Sequence, residues 1–407
     1  MRVTHVITRL IVGGAQENTV ASVLGLNRLP GIEAHLISGP TTGPEGSLEP
    51  LFADRPDLLT ILPSLVRPVR PALDVRAWLS LTRQFRRLQP DIVHTHSGKA
   101  GIVGRLAART AGVPLVVHTI HGPSFGPFQG STANTLFRTA ERIAGKLTTH
   151  FVVVAHAMAR QYRTAGIGRP DQFTRIVSGF DLDPFLRAGA QPNPDLRARL
   201  GLAPDDFVIG KIARLFDNKG HEDLVAVAPD LVRDLPHARF LFVGDGDNRK
   251  ALEHELLRRH LSPHFIFAGL VPPSEVAQYA GIMDLLVHLS LREGLARALP
   301  QALAAGRPVV AYDCDGANEI CINGRTGYLV PPRNLTALRE RIRLLARDPS
   351  LRTQFGNQGR DLVRDLFPVE RMIDELRGLY QRLIQGHPPR RTPSPFSSHP
   401  LAKRDPQ

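Results

Sequence analysis

Short, almost wholly apolar runs alternate with helix-like stretches along this chain, and the alternation runs twice. The first series is RVTHVI, AHLISG, DIVHTH, PLVVHTI and HFVVVAH, with helical patterns such as Asp74 to Leu88, Lys99 to Ala111 and Ser131 to Leu147 between them. A strand apolar on both faces must be buried on both, so the pattern predicts a parallel sheet covered by helices on each side. The series restarts near Asp206 with DFVIGKIA, RFLFVGDG, HFIFAGL, DLLVHLS and PVVAYD. Between the two lies SGFDLDPFLRAGAQPNPDLRARLGLAPDD, rich in Pro, Gly and Asp, which reads as a linker near residues 180–205 carrying one short helix. The expectation is two doubly wound α/β domains, 1–185 and 186–367. An amphipathic helix over 368–385, VERMIDELRGLYQRLIQ, is expected to cross back to the first domain. The tail 386–407, rich in Pro, Ser and Arg, cannot bury enough apolar area to offset its ordering entropy and is expected to be disordered. A ligand belongs at the carboxyl ends of the strands, in the cleft between the domains.

The length of 407 residues suits two domains of about 150–200 residues each. No apolar run approaches the roughly 20 residues that span a bilayer. The opening MRVTHVITRLIVGGAQ is interrupted by His5, Thr8 and Arg9, and reads as a buried strand rather than a leader. Two cysteines, Cys314 and Cys321, fit neither a disulfide framework nor a zinc site, and point to a reducing, cytoplasmic setting. The net charge of +13 favours anionic partners, and equally fits an arginine-rich genome. No aromatic-interleaved basic cluster or zinc finger appears, which argues against nucleic acid.

Five stretches carry chemistry. Gly13 and Gly14 follow the first strand and open a helix; they suit either close approach to an anionic ligand or a plain tight turn. In GKIARLFDNKGHEDLV, Arg214 and Lys219 stand at a strand end before a helix, where a fork and a mobile cation suit a diphosphate; solvated loop cations are the alternative. FVGDGD reads as a glycine-rich turn. HTHSGKAG and HTIHG bring His94, His96, His118 and His121 to one end of the sheet. His121 is expected to face a ligand, with His96 a further cleft candidate and His94 and His118 core histidines; nothing nearby completes a metal site. Last comes SLREGLARALPQALAAGRPVV, Ser290 to Val310. Pro300 belongs in a first helical turn, which starts the helix near Ala296 or Arg297 and leaves Glu293 in the loop ahead and Gln301 about a turn in.

Together these stretches resemble the retaining, nucleotide-sugar-dependent glycosyltransferases of family four, within the group 1 glycosyltransferases. The resemblance covers about residues 1–385 and is most specific at Ser290 to Val310 followed by DGANEICINGRTGYLVPP. It implies the GT-B fold, two Rossmann-like domains facing across a cleft. It implies that Arg214 and Lys219 bind the donor diphosphate, with Gly294 and Leu295 bringing backbone amides to the phosphate side. Glu293 then contacts the transferred sugar, Gly13 and Gly14 line the cleft, and His121 lies beside the reacting sugar. The family pattern is E-x7-E, whose second Glu accepts from the ribose; this chain has Gln301 there. An amide accepts one hydrogen bond and donates another, so the change should cost donor affinity, about 1–2 kcal/mol, rather than chemistry. Arg297, at the helix start, is a candidate to compensate by meeting a phosphate or carboxylate.

The implied reaction moves a sugar from a nucleoside diphosphate, expected to be UDP, to an acceptor hydroxyl with retention, with no cofactor and no metal. Asp181-x-Asp183 lies in the linker and reads as structural. The expected partners are the nucleotide sugar and a glycan or lipid-linked acceptor, in polysaccharide, glycolipid or cell-envelope synthesis. The helix around Trp78 and Leu79, with Arg76, Arg83, Arg86 and Arg87, suits contact with an anionic inner membrane face, or simply covers the sheet. Two other readings are a non-catalytic nucleotide-sugar-binding protein, against which the retained Glu293, Arg214 and Lys219 argue, and a non-hydrolysing sugar-nucleotide epimerase, which needs a pair of acids that cannot be assembled here.

Overall fold

The computed structural model describes residues 1–386 apart from Pro44 and Pro127, so the tail from residue 387 lies outside the described residues. Among the described residues thirteen strands form two sheets. The first has β1 (Arg2–Ile7), β2 (Glu33–Ser38), β3 (Leu59–Ile61), β4 (Ile92–His96), β5 (Leu115–Ile120), β6 (His150–Val153) and β7 (Phe173–Arg175), in the spatial order β3-β2-β1-β4-β5-β6-β7. The second has β8 (Phe207–Ile212), β9 (Ala238–Val243), β10 (Phe265–Gly269), β11 (Leu285–His288), β12 (Val309–Tyr312) and β13 (Gly327–Val330), in the order β10-β9-β8-β11-β12-β13. Every pairing is parallel. The α/β class with two Rossmann-like, doubly wound sheets is therefore as expected.

Each sheet reverses strand order at one point, between β1 and β4 in the first and between β8 and β11 in the second. The crevices beyond these two points are where an open α/β sheet offers strand ends and helix starts to a ligand. β4 and β5 are buried along their whole lengths. The linker holds two helices rather than one, Asp183–Ala190 and Pro194–Arg199. The second is capped by Asn193, whose side chain accepts from the Leu196 amide at 3.0 Å, and a proline at its first position makes it a separate start. Asp181 accepts from the Asp183 amide at 3.1 Å, a local turn contact.

The last helix, Val369–Gly386, packs on the first sheet's side of the molecule. Met372, Ile373, Leu376, Leu379 and Tyr380 join the core that holds Val3, Ile7, Val20 and Val117. The helix Pro71–Leu88 buries Ala77, Leu81 and Phe85, and Trp78 donates to the Thr110 hydroxyl at 3.1 Å, so this helix covers the sheet. Its outer face still exposes Val75 and Leu79.

Candidate active site at the two strand-order reversals

β8 ends at Ile212 and its loop carries Arg214 and Lys219; β11 ends at His288 and its loop carries Glu293, Gly294 and Leu295. The loops are tied together. The Leu291 amide donates to the Asn218 carbonyl at 2.9 Å, and a β-carbon on Gly220 would stand 2.4 Å from the Leu289 carbonyl, so only glycine fits there. This packing brings Lys219 onto the Glu293 carboxylate as a direct ion pair. The Glu293 amide donates to Asp315 at 2.8 Å, which fixes the loop. Burial, the largest single influence, pushes the Glu293 carboxyl up, but Lys219, His288 and Ser290 together outweigh it and hold the carboxyl below its ordinary value, so Glu293 is ionised at neutral pH.

Arg214 lies apart from this pair. Its guanidinium reaches Glu45 of the first half at 3.4 Å, and Glu45 also holds Arg9 at 3.3 Å. Gln301 sits on the helix Ala298–Ala304, half-buried, and its side chain makes no hydrogen bond among the described residues. That helix begins one residue later than expected, with Arg297 as its cap and Pro300 in its first turn. Arg297 meets a carboxylate, that of Glu17 across the cleft at 2.8 Å. Its stem passes where a β-carbon on Gly14 would be, 3.1 Å from the Arg297 Cδ. Gly13 caps the helix Gly14–Leu26, and its carbonyl accepts from the Glu17 amide at 2.9 Å.

The two halves pack backbone against backbone at Gly294. A β-carbon there would stand 1.9 Å from the His121 carbonyl oxygen. Arg292, beside it, donates to the Pro123 carbonyl at 2.5 Å and stacks over Phe128 at 3.5 Å. Glu319 adds another link, ion-paired with Arg175 at 2.9 Å and accepting from the Ala157 amide at 3.1 Å. His121, Glu293 and Gly294 thus share one wall of the cleft, built from both sheets.

His96 needs correction as a cleft residue. It is fully buried behind His121, with its Nδ1 3.0 Å from His121 Nε2 and its Nε2 2.9 Å from His5 Nδ1. His94 and His118 are core histidines held by hydroxyls: His94 by Tyr380 at 2.5 Å and Thr119 at 2.6 Å, His118 by Thr95 at 2.9 Å. Burial lowers every one of these imidazoles, His5 and His121 to about 3, so all are neutral at physiological pH. His5, His94 and His96 place nitrogens within 4.8 Å of one another, a spacing that could suit an ion. Both nitrogens of His94 and both of His96 are already engaged in hydrogen bonds, so binding one would break those contacts.

Sequence reasoning missed four residues. Glu17 pairs with Arg297 and Glu45 with Arg214 across the cleft, which no local pattern encodes. His5 stands opposite His94 in the β1–β4 register, and a histidine inside a central strand was the available signal. Lys211, on β8 behind Lys219, is wholly buried, and its amine has no hydrogen-bond partner among the described residues. Burial, reinforced by Lys219, pushes it down to about 7.

Comparison with known proteins agrees with this geometry. The family described as glycosyl transferases group 1 matches residues 192–362, and the one described as glycosyltransferase family 4 matches residues 12–184. The UDP-Gal:alpha-D-GlcNAc-diphosphoundecaprenol alpha-1,3-galactosyltransferase of Escherichia coli is 27% identical over 327 residues, covering 79% of this chain and 83% of its own. The GDP-mannose-dependent alpha-mannosyltransferase of Mycobacterium tuberculosis is 29% identical over 325 residues, covering 77% and 79%. Among solved structures, Anabaena Alr3699/HepE in complex with UDP and glucose superposes with a TM-score of 0.78 at 21% identity, covering 94% of this chain and 99% of that one. With both halves matched in order and the two facing Rossmann-like sheets in place, the chain belongs to the group 1 glycosyltransferases of the GT-B fold.

Proposed function

We propose that this glycosyltransferase moves a sugar from a nucleoside-diphosphate donor, with UDP the expected nucleotide, to an acceptor hydroxyl with retention of anomeric configuration. The observation that carries this reading is the Lys219–Glu293 pair at the strand-order reversal of the second sheet, one residue before Gly294, which packs against the His121 backbone of the first. The barrier is departure of the diphosphate with oxocarbenium character at the sugar. Arg214, Lys219 and the amides of Gly294 and Leu295 stabilise the departing charge, which a preorganised site does without reorganisation. A diphosphate competes with Glu45 for Arg214 and with Glu293 for Lys219. Glu293, released from Lys219, accepts hydrogen bonds from hydroxyls of the transferred sugar. Gln301 meets the ribose, and His121 stands on the acceptor side of the anomeric carbon. Front-face attack needs no protein nucleophile, and with cations supplying the charge it needs no metal.

The acceptor side is the first half, where Arg9 and the exposed Arg67 and Arg70 suit a phosphorylated, lipid-linked or glycan acceptor of cell-envelope synthesis. No helix among the described residues is long and apolar enough to cross a membrane. Peripheral contact with anionic lipid rests on exposed Val75 and Leu79 beside Arg76 and Arg83 on the outer face of the Pro71–Leu88 helix.

The test incubates the enzyme with UDP- and GDP-sugars, in EDTA and without it, and follows nucleoside diphosphate release and the anomeric proton of the product. Release in EDTA with a retained anomer is the expected result. An inverted product overturns the retaining reading, loss of activity in EDTA overturns metal independence, and epimer formation without release makes the protein an epimerase. Equal pelleting with neutral and anionic vesicles overturns the electrostatic membrane contact.

A further inference from the structure

His121, His96 and His5 form an unbroken chain of imidazoles running from the cleft into the core. His121 Nε2 lies 3.0 Å from His96 Nδ1, and His96 Nε2 lies 2.9 Å from His5 Nδ1. The rings stack at 5.2 Å in both steps. No carboxylate hydrogen-bonds to any of the three among the described residues, and His5 and His96 are wholly buried, so the chain carries no charge that could be offset. A neutral imidazole has one N–H and one bare nitrogen, so each link needs one donor and one acceptor. Only two arrangements satisfy both links, and they run in opposite directions.

In the inward arrangement His121 donates to His96, His96 donates to His5, and the N–H left over is at His5 Nε2. That atom is buried and has no hydrogen-bond partner among the described residues. In the outward arrangement His5 donates to His96, His96 donates to His121, and the N–H left over is at His121 Nδ1. His121 is only half-buried, and its Nδ1 makes no hydrogen bond among the described residues. The inward chain strands a donor in the core; the outward chain leaves only a bare nitrogen there. Orphaned buried N–H groups are the rarer and costlier fault.

We propose that His96, with His5 as its buried terminus, is a positioning residue that holds His121 as its Nδ1–H tautomer, so that His121 offers the cleft a hydrogen-bond donor. This rests on reading the His121 side chain as a neighbour of the reacting sugar. A donor at that place suits an oxygen that accepts a hydrogen bond, on the leaving phosphate as it gains negative charge or on a hydroxyl of the sugar, and not the removal of a proton from the acceptor.

The decisive measurement needs neither donor nor acceptor substrate. Long-range proton–nitrogen correlation on the 15N-labelled full chain, with His121 assigned through His121→Asn, reports which nitrogen carries the proton. Protonated Nδ1 and bare Nε2 from pH 6 to 8 is the expected result; protonated Nε2 overturns the proposal. In His96→Leu the Nε2 partner is gone, and His121 should revert mainly to the Nε2–H form. In His96→Gln the amide can accept from His5 and donate to His121, so the Nδ1–H form should persist. Kinetically, His96→Leu should lower kcat about tenfold with the donor KM within twofold, and His96→Gln should recover most of it. A His121 tautomer unchanged in His96→Leu overturns the positioning role. Should the tautomers behave as stated while kcat stays unchanged in His96→Leu, the chain is right and the sugar-side reading of His121 is what fails.

Discussion

Arg297 Nη1 and Glu17 Oε2, from opposite sides of the cleft, stand 2.8 Å apart, both largely shielded from solvent. The pair joins the loop that carries Glu293 to the first turn of the first helix. Arg297→Ala and Glu17→Gln should each raise the donor KM by a similar few-fold factor, and the double variant should do no more. A double-mutant cycle on donor affinity checks this, because residues acting as one pair are non-additive. Additive losses would mean that Arg297 meets the donor itself.

Glu293 and Gln301 should behave in opposite ways. Glu293→Gln removes the carboxylate that Lys219 holds ionised, and should cut transfer by about a hundredfold or more. Gln301→Glu should keep activity and tighten donor binding by about 1–2 kcal/mol, since a carboxylate accepts from both ribose hydroxyls. Initial rates with isothermal titration of the nucleotide separate the two outcomes. An inactive Gln301→Glu enzyme shows a different role for that position.

Gly294→Ala tests the backbone contact between the halves. The new methyl would stand 1.9 Å from the His121 carbonyl, so loop and sheet must part. The variant should fold with a near-unchanged thermal midpoint and lose at least tenfold in kcat/KM, because small displacements of reacting groups are costly.

Lys211 makes a stability prediction. Folded, it gives up its proton near pH 7; unfolded, it keeps it to about 10.5. Between those values the unfolded state binds more protons, so stability rises with pH, and below pH 7 the penalty is constant and complete. Lys211→Met should therefore be more stable at pH 7 by on the order of a few kcal/mol. It should also lose the rise between pH 7 and 10. Thermal midpoints across that range are the check.

Acid should act in the same sense through the histidines, in a lower pH window. His5, His121 and His288 are lowered to about 3, His221 to about 2, and His94, His96 and His118 well below their ordinary value, all by burial. Unfolded, each takes a proton near pH 6.5. Stability therefore falls as pH drops below about 6.5, by up to about 1.4 kcal/mol per pH unit for each histidine. The thermal midpoint should drop steeply from pH 6.5 to 5, and His221→Gln should make the drop shallower.

The central strands were legible because a strand buried on both faces leaves a run of apolar residues, as in PLVVHTI and RFLFVGDG. β3 and β7 are three-residue edge strands with half-buried side chains and leave no such run, and β13 is four residues inside a loop-rich stretch. Residues fixed by their own loop, such as Lys219, Glu293 and Pro300, could be placed from spacing. Glu17, Glu45 and the partners of His96 could not, since each is set by how two distant loops or strands meet. Asn193-Pro194, which starts the second linker helix, carries the signature of a cap.

The Val369–Gly386 helix has a consequence for how the molecule is made. Its Tyr380 closes over His94, and its Met372 sulfur accepts from Asn18 at 3.0 Å, inside the first sheet's core. A ribosome delivers that sheet's strands first and this cover last. The leading half therefore stays uncapped during synthesis, with an apolar face open to chaperones or to its neighbours on a polysome, until the second half has folded and the final turns emerge.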